Sequence, residues 1–355
     1  MKKFNGLTLA VLVLFLSVLV ACSNDETNEP DSVNDGNNAA EMVNEGDQGA
    51  LNEAIPAGTD INIAIGAGSG GMSFASLMYE NYQGRTQNNY NLAIADSQEV
   101  ITAGLLSGDL DIGAIPINVA ATLYNASEGE IRVISLNAMG VNFVLDRTGE
   151  VETIEDLRDR TIYSAGQGGT QQHTIEFILR ENGLEPGVDV EIVWTANHAE
   201  TANRVLAGEL DLVVLTNPFV TAVMQETDEM VMALDFTKEW EAVTNGAPLP
   251  SSSTVVRTAF LEEHPEAVRI FLQEQAAGVD FVNHHHVEVA QLMEMFGITT
   301  ADVAIDSLPL TRIVAISGAD LQPAVEGFLR IMYDANPDSV GGRIPDDSFF
   351  FVFDQ

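Results

Sequence analysis

The sequence predicts a two-lobed α/β fold in which two similar halves face one cleft. Three observations carry the prediction. The phrase "SGDLDIGAIPINVAATL", beginning at Ser107, returns as "AGELDLVVLTNPFVTAV", beginning at Ala207. Upstream of each copy, strand-like apolar runs alternate with helix-like runs, which implies mostly parallel sheets covered by helices on both faces. Two extended apolar stretches, "GVNFVLDRTG" and "PLPSSSTVVRTAF", follow the two copies and suit strands that cross between the lobes.

The chain opens with Lys2 and Lys3, followed by a largely apolar run from Leu7 to Ala21. That run is shorter than the roughly 20 residues a bilayer-spanning helix needs, and it suits the apolar part of an export signal. Residues 1–21 are therefore read as a signal peptide. The run ends in "LVAC", which resembles the lipobox of bacterial lipoproteins and marks Cys22 for lipidation. Residues 22–58 contain no Lys, Arg or aromatic residue and show no apolar periodicity. They are expected to form a disordered acidic linker, because such a segment buries too little surface to offset chain entropy.

The first lobe is expected over 59–143. "INIAI" alternates as a strand, "GAGSGGMS" is a glycine loop, and Phe74, Leu77, Met78 and Tyr82 share one helical face. A second strand, "YNLAIA", leads to Ser97, a helix cap, with Glu99 in the first turn where the helix dipole favours negative charge. The second lobe, over 144–250, repeats this order. "TIYSAGQGGT" is its strand and glycine loop, Ile175, Ile178 and Leu179 face inward, and Asn197 and Glu200 stand where Ser97 and Glu99 stood. Residues 251–355 then supply the second crossover and a mainly helical segment expected to complete the first lobe.

The net charge is −38, and removal of Lys2 and Lys3 takes it to −40. A field of that sign excludes nucleic-acid binding and disfavours close approach to anionic headgroups. Cys22 is the only cysteine, so neither disulfides nor cysteine metal sites are available to the fold. The run His284–His286 does not suggest a metal site, because neighbouring side chains point in different directions. A loop between two helices is expected there, and no metal and no cofactor are predicted.

Ligands of open α/β sheets bind at the carboxyl ends of strands, beside helix N-termini. Gly68, Gly70 and Gly71 in one lobe, and Gly168 and Gly169 in the other, would let backbone N–H groups approach a ligand. Ser69, Thr170 and Gln171 add side-chain donors and acceptors. Ser97 and His198 start helices at the same strand ends, and Asn118 and Asn217 follow the repeated strands. All are candidate ligand contacts, whereas Phe219 and Trp194 are expected in packing. Ligand charge stays open. Paired helix N-termini suit an anion, while the missing Lys and Arg in these loops and the acidic field favour a neutral, zwitterionic or cationic aromatic compound.

"GAGSGG" also satisfies G-x-G-x-x-G, so an exported dinucleotide-binding oxidoreductase is a rival reading. It is weakened by the lack of an accompanying catalytic acid or base. "AGSGG" misses the hydrolase elbow G-x-S-x-G at its first glycine.

From about residue 60 the chain resembles bacterial ABC-transporter substrate-binding proteins, and more narrowly the nitrate, sulfonate, taurine and thiamine-precursor receptors. "GELDLVVLTNPFVT", "SLNAMGVNFVLD", "IEDLRDRTIYSAGQGG", "TVVRTAFLEEHPEAVRIFLQEQAAGVDFVN" and "ANPDSVGGRIPDDSFFF" carry the likeness. The resemblance implies a type II periplasmic-binding-protein fold and a non-enzymatic receptor, lipid-anchored outside the cytoplasm. It implies roles for Gly68 to Met72 and Gly168 to Gln171, and delivery of a small aromatic, sulfonate-like or thiamine-precursor-like ligand to an ABC permease and its ATPase. A monomer is expected. The alternative within transport is the receptor of a tripartite, ion-driven system.

Overall fold

The computed structural model describes residues 58–140 and 142–353; the expected signal peptide, Cys22 and the acidic linker up to residue 57 lie outside the described residues. The first half runs β1 (Asp60–Ile65), α1 (Ser69–Met72), α2 (Ala75–Tyr82), β2 (Asn89–Ile94), α3 (Gln98–Ser107), β3 (Ile112–Pro116), α4 (Ile117–Ala126) and β4 (Ile131–Met139). The second runs β5 (Asn142–Asp146), β6 (Thr161–Ser164), α5 (Thr170–Glu181), β7 (Glu191–Trp194), α6 (His198–Leu206), β8 (Leu212–Thr216), α7 (Phe219–Glu226), β9 (Val231–Asp235) and α8 (Phe236–Val243). The chain then returns through β10 (Pro250–Arg257), α9 (Thr258–Glu263), α10 (Pro265–His284), α11 (His286–Met295), α12 (Ala301–Ser307), β11 (Arg312–Ser317) and α13 (Leu321–Ala335).

Two sheets result, in strand orders β11-β4-β10-β3-β1-β2 and β7-β6-β8-β5-β9. Within each half the βαβ runs pair in parallel: β1 with β2 and β3, and β6 with β7 and β8. Each half also takes in an antiparallel strand beside its repeated strand, β10 against β3 and β5 against β8. The sheets are thus mixed, because a strand arriving from the other half enters in the reverse direction. The C-terminal part is not purely helical either. β11 pairs with β4 at the edge of the first sheet, a short strand whose apolar run is easily read as helix.

The repeated phrase is explained by this arrangement. In both copies a helix ends at a glycine with positive φ, Gly108 at +83° and Gly208 at +73°, a backbone state that costs glycine little. An aspartate then precedes the strand. Asp111 forms an ion pair with Arg257 at 2.9 Å, and Asp211 forms one with Arg147, also at 2.9 Å. Each arginine stands at the end of the crossover strand, and its N–H donates to the backbone carbonyl of the same aspartate, at 2.9 Å and 2.8 Å.

The core joins the two sheets. Leu321, Val325, Phe328, Leu329 and Met332 form the buried stripe of α13, at the spacing a helix needs. Phe328 packs on fully buried Trp240 of α8, with ring centres 5.5 Å apart, and Trp240 packs on Phe177 of α5 at 5.1 Å. At the C-terminus Phe349 is buried edge-on against Tyr124. His284 ends α10 and His286 begins α11, leaving only His285 between them. His284 bonds to the carbonyl of Asp280 and His285 stacks on Phe281.

Candidate functional site

The strand ends of both halves open onto one cavity of about 1060 Å³. Its first wall holds the loop after β1, the start of α3 and the end of β3. Its second holds the loop after β6, the start of α6, Thr216 at the end of β8, and Phe219. The crossover strands close the cavity between them, with Asn142 from β5 and Ser251 and Ser252 from β10.

Most of the expected contact residues line this space: Gly68, Ser69, Gly70, Gly71, Ser97, Gly168, Gly169, Thr170, Gln171 and His198. At Gly70 the backbone runs so close to β10 that a Cβ would stand 2.3 Å from the Ser252 hydroxyl oxygen. Gln171 borders the cavity, but its amide donates to the Ser164 hydroxyl at 2.8 Å, which turns the side chain toward its own lobe. Ser97 does not cap α3 with its side chain. Its hydroxyl instead helps to hold the Glu99 carboxyl below the ordinary carboxylate range, together with Glu99's own backbone N–H.

Three expected residues do not line the cavity. Met72 is fully buried in a cluster with Ala75, Val279, Val282 and Met293, because the helical turn after the glycines carries it to the opposite face. Asn217 is fully buried and accepts a hydrogen bond from the Thr221 hydroxyl at 3.0 Å, one turn along its own helix. Asn118 is also buried, and its amide links the halves. It donates to the carbonyls of Gly168 at 3.1 Å and Ser339 at 3.2 Å, and accepts from the Thr170 hydroxyl at 2.8 Å. A further polar link runs from Gln225 of α7 to the Asp306 carboxylate of α12, at 2.7 Å.

Sequence reasoning missed other lining residues. Ser251 and Ser252 were signalled only by the serine run that opens an otherwise apolar strand, and Asn142 only by being polar at a strand start. Phe219, expected in packing, stands at the cavity wall and stacks on His198, with centroids 5.6 Å apart and an interplanar angle of 23°. The His198 Nδ1 is buried without a hydrogen-bond partner. Burial pushes its imidazole down to about 4, so the ring is neutral near pH 7 and offers a hydrogen-bonding edge rather than a charge. At the start of α6, Asn197 accepts from the Glu200 N–H at 2.9 Å, and the Glu200 carboxylate accepts from the Ala196 N–H at 2.9 Å. Both backbone donors are thus satisfied internally.

A family model described as "ABC transporter, phosphonate, periplasmic substrate-binding protein" matches residues 137–304. The fold is that of ABC-importer binding proteins. An ABC transporter structure from Parabacteroides distasonis superposes with a TM-score of 0.67 at 21% identity, covering 82% of this chain and 98% of that one. The alkanesulfonate-binding protein of Xanthomonas axonopodis pv. citri, bound to MOPS, gives 0.63 at 11% identity, with 82% and 96% covered. The nitrate-binding protein of Synechocystis PCC 6803 gives 0.60 at 13%, with 80% and 84% covered. No curated protein matches the chain by sequence.

Over residues 137–304 the chain is similar in sequence to ABC-transporter substrate-binding proteins, and its fold is theirs. The family description and these neighbours favour that group over the tripartite ion-driven receptors, and they describe binding proteins of importers rather than enzymes.

Two outcomes follow from this geometry. Asn118→Leu leaves the buried Thr170 hydroxyl and Ser339 carbonyl unpaired, so urea unfolding should show a loss of about 1–3 kcal/mol; an unchanged midpoint would remove Asn118 as a tie between the halves. His198 titrates near 6.5 when unfolded and near 4 when folded. The folded state therefore binds fewer protons between those values, and the stability involved is full above pH 6.5 and lost as pH falls toward 4. His198→Gln should flatten that slope in unfolding curves across the same window. Burial lowers His173 too, so part of the slope should persist; a slope wholly untouched by His198→Gln would show the ring to be solvated.

Proposed function

We propose that the protein is an extracytoplasmic receptor, held to the membrane by a lipid on Cys22, that captures one small organic solute and passes it to an ABC permease. The observation that carries this reading is the cavity itself. Walls from two equivalent halves, closed between them by both crossover strands, put ten of the thirteen expected contact residues around one space. Its size is at the upper end of ordinary small-molecule pockets, which run to roughly 1,000 Å³. Gly68 to Gly71 and Gly168 to Gly169 bring backbone toward the solute, the His198–Phe219 ring pair offers a flat apolar face, and Ser251, Ser252 and Asn142 offer hydroxyls and an amide. Release would follow separation of the walls, which breaks the Asn118 bonds to Gly168 and Thr170. The receptor acts as a monomer and makes no covalent change to its solute.

The site is tested by native mass spectrometry of the purified protein, followed by thermal shift with the solute found. At 100 times its dissociation constant a ligand stabilises a folded protein by about 2.7 kcal/mol. Gly70→Val should abolish the adduct and that shift while the unliganded protein still unfolds cooperatively; an adduct of unchanged occupancy in Gly70→Val would place the solute elsewhere. For the anchor, Cys22→Ala should move the chain from the membrane fraction to the soluble one. Persistence in the membrane fraction would refute lipidation at Cys22.

A further inference from the structure

We infer that the solute carries a positively charged group, as a cation or a zwitterion, and that a plain oxyanion is not the cargo. The inference deepens the receptor reading above and rests on it. The charged side chains lining the cavity are Asp96 and Glu99, and no Lys or Arg lines it. Both carboxylates lie on the first wall, at the end of β2 and in the first turn of α3, and both are exposed. Asp96 has no hydrogen-bond or ion-pair partner among the described residues, and Glu99 is met by neutral groups, with the Gln98 amide at 3.4 Å. Two carboxylates without a cation repel an incoming phosphonate, sulfonate or nitrate and attract an ammonium group.

Helix N-termini are the other way to hold an anion, and those of α3 and α6, which follow β2 and β7, are already neutralised. Glu99 stands in the first turn of α3. At α6 the donors of Ala196 and Glu200 are spent on the Glu200 carboxylate and on Asn197. The starts of α4, α5 and α7 also border the cavity and have no acid in their first turns, which leaves room for the anionic end of a zwitterion. His198 supplies no compensating charge, because its ring is neutral, and beside it Phe219 presents an aromatic face of the kind that attracts organic cations. The net charge of −38 adds a long-range field of the same sign.

The test uses the purified full chain and matched probes that differ only in the positive group: choline against 3,3-dimethylbutan-1-ol, 2-aminoethylphosphonate against ethylphosphonate, and taurine against ethanesulfonate. Isothermal titration should show the ammonium member binding at least about tenfold tighter in one or more pairs, a gap of about 1.4 kcal/mol. The double variant Asp96→Asn with Glu99→Gln should close that gap while the unliganded protein still unfolds cooperatively. Two results overturn the charge assignment. One is an ammonium-free oxyanion that binds as tightly as its partner and is lost in Gly70→Val; the receptor reading then stands and only the charge falls. The other is no binding by any ammonium probe at concentrations on the order of 10 mM, well above typical micromolar-to-millimolar dissociation constants. If, in addition, the protein as purified carries no small molecule, the receptor reading falls with it.

Discussion

Each half of the molecule is organised by one aspartate that holds the end of a strand arriving from elsewhere. Asp111 holds Arg257 and Asp211 holds Arg147, and in both places the arginine N–H is also tied to the aspartate's carbonyl. Asp111 is buried while Asp211 is exposed, and an exposed pair contributes about 0–1 kcal/mol, so what the two contacts share is their position. The contact fixes the register in which β10 lies against β3 and β5 lies against β8. A slip of one residue would move each crossover strand's side chains to the opposite face of the sheet. With the register fixed, the far ends of these strands deliver Ser251, Ser252 and Asn142 to the cavity.

The same geometry explains why the repeat recurs with its acidic residue and glycine intact while the loops after it diverge. The glycine and aspartate end a helix and seat a strand in both halves, whereas "IPIN" and "TNPF" serve different neighbours. Asn118 meets a loop of the opposite half and the C-terminal segment. Asn217 accepts from Thr221 in the helix that follows it. Two residues at equivalent places in a duplicated phrase have therefore taken on an inter-half tie and a local one.

The electrostatics separate the fold from its cargo. Solved structures of this fold include an alkanesulfonate-binding and a nitrate-binding protein, so the scaffold accommodates anion receptors. In this chain acids occupy the first turns of α3 and α6, where backbone N–H groups would otherwise face the cavity. Glu200 accepts from the Ala196 N–H at the mouth of the site. A shared scaffold thus leaves the sign of the ligand's charge to a few side chains at helix starts.

Much was legible in the sequence, because local chemistry specifies it. Alternating and helical periodicities gave the βαβ halves, the duplicated phrase gave their equivalence, and strand ends followed by glycines marked the cavity walls. What the sequence alone could not decide is which polar groups remain free for a ligand. Asn118 and Gln171 look alike as donors beside a glycine loop, yet the partners of Asn118 lie 50, 52 and 221 residues away. Met72 likewise turns from candidate contact to core only when α10 and α11 pack against it. Periodicity and caps act over a few residues and are written in order along the chain. The satisfaction of a buried hydrogen bond depends on what arrives from the far end of it, and only the tertiary structure brings those partners together.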